Sequence, residues 1–184
     1  MNVLFLDFDG VINTPVGIDE KGNIIDDYYP VSAGKVNNFV AVKLIEKLCR
    51  KYNLRIVVQS RGWRNYLGLD ENGNVRYRPY RDYLKNSGMD ESLVEGHVPY
   101  LSSKEKGDEI DEYLSTHKVD KFIVIDDNDN NDNNGVDKSL VRFGDNLIVC
   151  DGNRGFTEVE FKQAEEILSR ENRYRVKNVE DEQK

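Results

Sequence analysis

Only two cysteines, Cys49 and Cys150, occur in the chain, and neither stands in a CxxC pair or beside a histidine. Thiol catalysis and a cysteine metal site drop out, and both thiols read as buried and inert. No apolar run approaches the roughly 20 residues of a membrane helix. Residues 1–15 also lack the basic and apolar layout of a signal peptide, so the expected compartment is the reducing cytoplasm. Positive charge is scarce as well: 26 Lys and Arg stand against 34 Asp and Glu, leaving a net charge of −8. Such a surface repels nucleic acid backbones in general, and any nucleic acid role requires a local basic patch. No internal repeat divides the chain.

What remains is a soluble, heavily charged chain of 184 residues, 38% of them hydrophobic, enough for one domain with a sizeable core. That domain is expected over residues 1–170. Residues 171–184 form a nearly all-polar tail that should fray.

Near the start, Val3-Leu4-Phe5-Leu6 runs straight into Asp7-Phe8-Asp9-Gly10-Val11. The apolar run reads as a buried parallel strand, and the end of such a strand is where an open α/β sheet carries its chemistry. Asp-x-Asp-Gly also opens exposed turns and calcium loops. Its position directly after a strand favours chemistry, because a helix-loop-helix calcium site would follow a helix. Gly10 supplies the turn that lets the two aspartates take different jobs.

Further along, Val36 to Tyr52 carries apolar residues at mostly helical spacing, and Leu54 to Ser60 is a second strand. Strand, helix, strand in that order predicts a parallel crossover. Residues 14–35 read as an irregular loop, partly hairpin. Trp63 to Leu69 is expected to open a helix, Asp70 to Asn74 to turn, and Tyr77 to Asn86 to form a second helix. Leu93 to Tyr100 is a short strand, Lys106 to His117 a helix, and Lys121 to Ile125 a strand that ends in Asp126-Asp127. Asn146 to Cys150 and Glu158 to Arg170 supply the last strand and helix. The fold class is therefore α/β, a Rossmann-like three-layer sandwich around a mainly parallel sheet.

Three strands of this sheet end in polar residues: Asp7 and Asp9, then Ser60, then Asp126 and Asp127. In a parallel sheet these ends open on one edge. Carboxylates grouped there repel one another unless a cation intervenes, and a hard divalent ion with oxygen ligands, Mg2+ above all, meets that need. Lys106, beside Gly107, can reach over the same edge toward an anion, though a solvated surface lysine is the plainer reading of its position. Ser60 can equally serve as a helix N-cap, and the two roles are compatible because a helix N-terminus also binds phosphate.

These residues resemble the motifs of haloacid dehalogenase (HAD) superfamily phosphohydrolases: DxD after the first strand, Ser or Thr after the second, a Lys, and a late acidic pair. Asp7, Asp9, Ser60, Lys106 and the pair Asp126 and Asp127 occur in that order. LFLDFDGVIN, VVQSRGWR, KGDEIDEYL, FIVIDD and GFT are similar to a capless branch that includes domains of RNA-repair proteins. The likeness spans roughly residues 2–168 and implies two-step phosphoryl transfer. Asp7 would be the nucleophile and Asp9 the general acid and base. Magnesium would be held by the Asp7 carboxylate, the Asp9 backbone carbonyl and Asp127, with Asp126 nearby. Ser60, Lys106 and backbone amides around Asp9, Gly10 and Arg61 would hold the phosphoryl oxygens.

The chain departs from that branch in places. Ser60-Arg61-Gly62 replaces a serine-rich turn and brings a cation to the site edge, and Lys104 competes with Lys106. The Asn- and Asp-rich run from Asn128 to Gly135 fails as a calcium loop, since the register that puts Gly135 sixth leaves Val141 where a bidentate Glu belongs.

Residues 65–105 have room for a small lid and no large cap, and an open site suits phosphates on macromolecules. Arg76-Tyr77-Arg78-Pro79-Tyr80-Arg81-Asp82-Tyr83 interleaves cations with aromatics and offers Arg76, Arg78 and Arg81 as substrate contacts, although a core of aromatics with outward arginines reads equally well. With an acidic net charge, the expected substrate is a phosphoprotein, phosphotyrosine included. A nucleic acid end phosphatase or nucleotidase is the alternative, and a non-catalytic interaction module the second.

Overall fold

The computed structural model describes residues 1–25, 36–61, 68–69, 75–76, 79–101, 105–128 and 137–170. At its centre lies strand β1 (Asn2–Leu6), whose Val3, Leu4, Phe5 and Leu6 are fully buried. Side chains alternate across a strand, so this one strand feeds two cores. Leu4 and Leu6 join a cluster on one face of the sheet, while Val3 and Phe5 join a second on the other.

Helix α1 (Phe39–Tyr52) follows, then β2 (Leu54–Val58), α2 (Pro79–Asn86), β3 (Val94–His97), α3 (Lys106–Thr116), β4 (Lys121–Asp127), β5 (Leu147–Cys150) and α4 (Glu158–Ser169). The five strands form one sheet in the order β5-β4-β1-β2-β3, and every neighbouring pair is parallel. Helices α1, α2 and α4 cover the face shared with Leu4 and Leu6, and α3 with a 3₁₀ segment, Lys138–Asn146, covers the other. The result is the expected three-layer α/β sandwich. The chain leaves β1 toward β2 on one side and returns to β4 on the other, and ligands bind at the strand ends of such a switch point.

Local chemistry sets the boundaries. Helix α1 starts later than its apolar spacing suggests, because Val36–Asn37 pairs with Asn13–Thr14 as a short antiparallel ladder and Asn38 caps the helix by accepting from the Ala41 amide at 3.1 Å. The loop before it is partly hairpin, as expected, through Gly17–Ile18 and Ile24–Ile25. Helix α4 opens on Thr157, whose side chain and that of Glu160 cap each other's backbone amides, an arrangement worth about 1 kcal/mol.

Two expectations change. Gly68–Leu69 is a strand antiparallel to Val75–Arg76, so the helix expected to run through Leu69 does not; cross-strand pairing takes those backbone groups instead. The Lys138–Asn146 segment went unanticipated, because its apolar pair Leu140 and Phe143 is too short a signal. Residues 62–67, the turn at 70–74, Arg78, Lys104, the Asn-rich run from 129 and the tail from 171 lie outside the described residues, and so does the side chain of Arg76. Among the described residues no helix is long and apolar enough to cross a membrane and no folded cap stands over the sheet edge. Cys49 and Cys150 are buried free thiols. Burial pushes Cys49 up to about 12, in keeping with an inert role.

Candidate active site

Asp7 leaves β1 with its amide still donating to Ile125 O of β4 at 3.1 Å, so the ends of the two strands are locked side by side. On β4, which runs on through Asp126 and Asp127, the late acidic pair is thereby brought beside Asp7 although about 120 residues separate them. All three are buried, and each offers a carboxylate oxygen within 4.8 Å of the others.

Lys106, in the first turn of α3, reaches into this group. Its Nζ lies 2.8 Å from Asp126 Oδ2 and 3.5 Å from Asp7 Oδ2. Burial works against the ammonium charge, and the two aspartates outweigh it, so the lysine pKa stands above its usual value. Gly107 makes this approach possible. A Cβ there would overlap the Ser139 carbonyl oxygen, while the Gly107 amide donates to Ser139 Oγ at 2.9 Å.

Asp126 carries the strain of the cluster. Burial first, then the negative charge of Asp7, push its carboxyl up to about 7, although Lys106 and Gln59 pull the other way. Gln59 Nε2 donates to Asp126 Oδ2 at 2.6 Å. Taken with Lys106, the three carboxylates carry two excess negative charges when ionised. An all-oxygen donor set, buried and short of positive charge, fits a hard divalent cation.

Asp9 stands apart from that group. It is half-buried, and its Oδ1 accepts from Asn13 Nδ2 at 2.9 Å. Ser60 is buried just past the end of β2. The Arg61 guanidinium pairs with Glu109 of α3, Nη2 to Oε1 at 3.3 Å and Nε to Oε2 at 3.3 Å. Arg81 donates to Glu95 O at 3.0 Å and sits 5.8 Å from the centre of the Tyr80 ring, so it also holds α2 to β3.

The loop carrying the aspartates is buttressed from the far end of the chain. Gly155 (φ 71°) and Phe156, from the GFT run, close on it: Phe156 N donates to Val11 O at 2.9 Å, and a Cβ on Gly155 would lie 2.6 Å from that oxygen. Sequence reasoning assigned no role to Gln59, Asn13 or Glu109, and marked Tyr83 only as part of an aromatic and cationic run. Of the first three, only Gln59 carried a legible signal, a polar residue beside Ser60 at a strand end.

The arrangement thus divides the site's carboxylates. The buried carboxylates of Asp7, Asp126 and Asp127 can together hold a cation, and the Asp9 carboxyl lies outside that set, bonded to Asn13. A family model described as "HAD domain in Swiss Army Knife RNA repair proteins" matches residues 3–161. No curated protein and no solved structure matches the chain.

Proposed function

Because the chain belongs to the HAD domain family of Swiss Army Knife RNA repair proteins and is a HAD-type phosphohydrolase domain, we propose that it removes a terminal phosphate from a polynucleotide. Family membership carries this reading, since it bears on the substrate itself. The acidic net charge that pointed to a phosphoprotein is a property of the whole surface, and nothing among the described residues favours phosphotyrosine. Binding would rest on local cations, for which the segment of Arg76, Arg78 and Arg81 is the candidate.

In this reading an Asp7 carboxylate oxygen attacks phosphorus. The new P–O bond forms as the bond to the leaving oxygen breaks, and Asp9 gives that oxygen a proton. Asp9, now ionised, takes a proton from a water that attacks the aspartyl-phosphate; phosphate leaves and Asp7 is restored. Lys106, Ser60 and the amides of Asp9 and Arg61 hold the phosphoryl oxygens as charge moves onto them, whereas the Gly10 amide expected to join them is committed to Asn13 O at 2.7 Å. Magnesium, held by Asp7, Asp127 and the Asp9 carbonyl with Asp126 beside it, would supply positive charge to the phosphoryl group and offset carboxylate repulsion.

The test is a substrate panel with magnesium: oligonucleotides phosphorylated at either end, a phosphotyrosyl peptide and a small phosphate ester. An oligonucleotide should lead in kcat/KM by about tenfold or more, because remote contacts are made only by the large substrate. A lead for the peptide would overturn the assignment.

A further inference from the structure

Asn13 is fully buried, and its backbone is held on both sides: its amide donates to Phe8 O at 2.9 Å and its carbonyl accepts from Gly10 N at 2.7 Å. Its side chain bridges two groups. Nδ2 donates to Asp9 Oδ1, and Oδ1 accepts from the Tyr83 hydroxyl. Tyr83 belongs to α2, inside the segment that separates Ser60 from Lys106, and its ring packs against Phe8 with centroids 5.7 Å apart.

We propose that Asn13 and Tyr83 are positioning residues for Asp9, Asn13 holding one carboxylate oxygen and Tyr83 setting which way the Asn13 amide faces. This rests on the reading of Asp9 as general acid and base. A carboxyl oxygen that bears no proton can only accept, so only the NH2 edge of the Asn13 amide can face Asp9 Oδ1. The C=O edge of Asn13 then turns to Tyr83, which must donate. Were the amide reversed, two acceptors would meet at Asp9.

The phenol keeps the proton this requires, because burial and the Asp9 charge both raise its pKa above the ordinary tyrosine value. The same logic accounts for Asn37. Tyr83 O also lies 3.3 Å from Asn37 Oδ1, yet its one proton goes to Asn13. An Asn37 amide turned over would donate to the phenol through Nδ2, the buried atom that otherwise finds no partner among the described residues.

The consequence is directional. With Oδ1 of Asp9 accepting an N–H from Asn13, the bond fixes which carboxyl oxygen faces the Asn13 amide. Asp9 is only half-buried, and this bond limits its rotation. Any displacement of α2 also reaches Asp9 through Tyr83, so the segment between Ser60 and Lys106 bears on proton transfer as well as on access.

Tyr83→Phe tests this, because it keeps the ring on Phe8 and removes only the hydroxyl. Kinetics with magnesium on a matched alkyl and aryl phosphate should show a kcat loss of roughly tenfold on the alkyl ester, with KM and the thermal midpoint little changed; general acid catalysis is worth about 10²–10⁴-fold and a misdirected acid keeps part of it. The aryl ester, whose leaving group needs less protonation, should lose less. In an Asp9→Asn background Tyr83→Phe should cost nothing further. Equal losses on both esters, or none, would overturn the proposal.

Asn13→Ala alters a fully buried site, so a second readout does not depend on it: the side-chain amide NMR signal of Asn13 should move in Tyr83→Phe and in Asp9→Asn. A signal indifferent to Tyr83→Phe would also end the proposal. Failure of the oligonucleotide substrate alone would leave these ester measurements intact, and a wild type inert on every ester would reject phosphatase chemistry while the NMR signal still decided the hydrogen-bond chain.

Discussion

The Asp127 carboxylate lies directly over the Cα of Gly10: a Cβ built there would overlap Asp127 Oδ2 and lie 2.6 Å from Asp127 Cβ. Gly10 also has φ 83°, a conformation that side chains rarely adopt. Gly10→Ala should therefore act twice. The backbone term costs about 1 kcal/mol or more. The displaced Asp127 should lower magnesium affinity by roughly tenfold to a hundredfold. Calorimetric titration with magnesium and denaturant melts check the two effects, and undiminished affinity in a folded variant would remove Asp127 from the metal site.

Asp126 makes metal-free stability depend on pH. An unfolded aspartate titrates near 3.8, whereas the folded carboxyl is raised to about 7 by burial and by Asp7. Between those values the folded chain keeps a proton that the unfolded chain has released. This group's contribution to stability is thus full below about pH 4 and is lost as pH rises through about 7. Denaturant midpoints in chelator should fall across that window, and Asp126→Asn, which cannot ionise, should flatten the fall. Saturating magnesium should oppose it, because the cation binds ionised carboxylates. Coincident profiles for wild type and variant would contradict this account.

Asp7→Asn keeps size and hydrogen bonding but loses the nucleophilic charge, so kcat should drop by about 10³-fold or more. The same change removes one of three crowded carboxylates, and the metal-free thermal midpoint should hold or rise. Near-normal turnover would sink the aspartyl-phosphate route.

Replacing Arg76, Arg78 and Arg81 together with Ala should weaken use of a phosphorylated oligonucleotide by about tenfold while largely sparing a small ester, and should flatten the salt dependence of the former. Steady-state kinetics at two ionic strengths separate the cases. A larger loss on the ester would place these arginines in the phosphoryl pocket. Since Arg81 also ties α2 to Glu95 O, Arg81→Ala alone serves as the stability control.

The sequence by itself determined the strands and helices of the central sheet and the chemical character of their ends, but neither the Gly68–Leu69 and Val75–Arg76 pair nor the Lys138–Asn146 segment. Short unbroken apolar runs rich in β-branched and aromatic residues before Asp7 and Asp126 mark strands buried on both faces, and periodicity likewise marked α1, α3 and α4. These are local properties, set by neighbours along the chain. Strand order, by contrast, was decided by how the helices cover the sheet. That packing puts β4 beside β1 and so sets Asp126 and Asp127 against Asp7.

Lys106 could be singled out by spacing, but its bond to Asp126 exists because Gly107 lets α3 close on Ser139. The partners of Asn13, Gln59 and Tyr83 were illegible for the same physical reason. A polar side chain acquires a role only when burial strips it of water and leaves a particular partner, and that partner is chosen by tertiary structure.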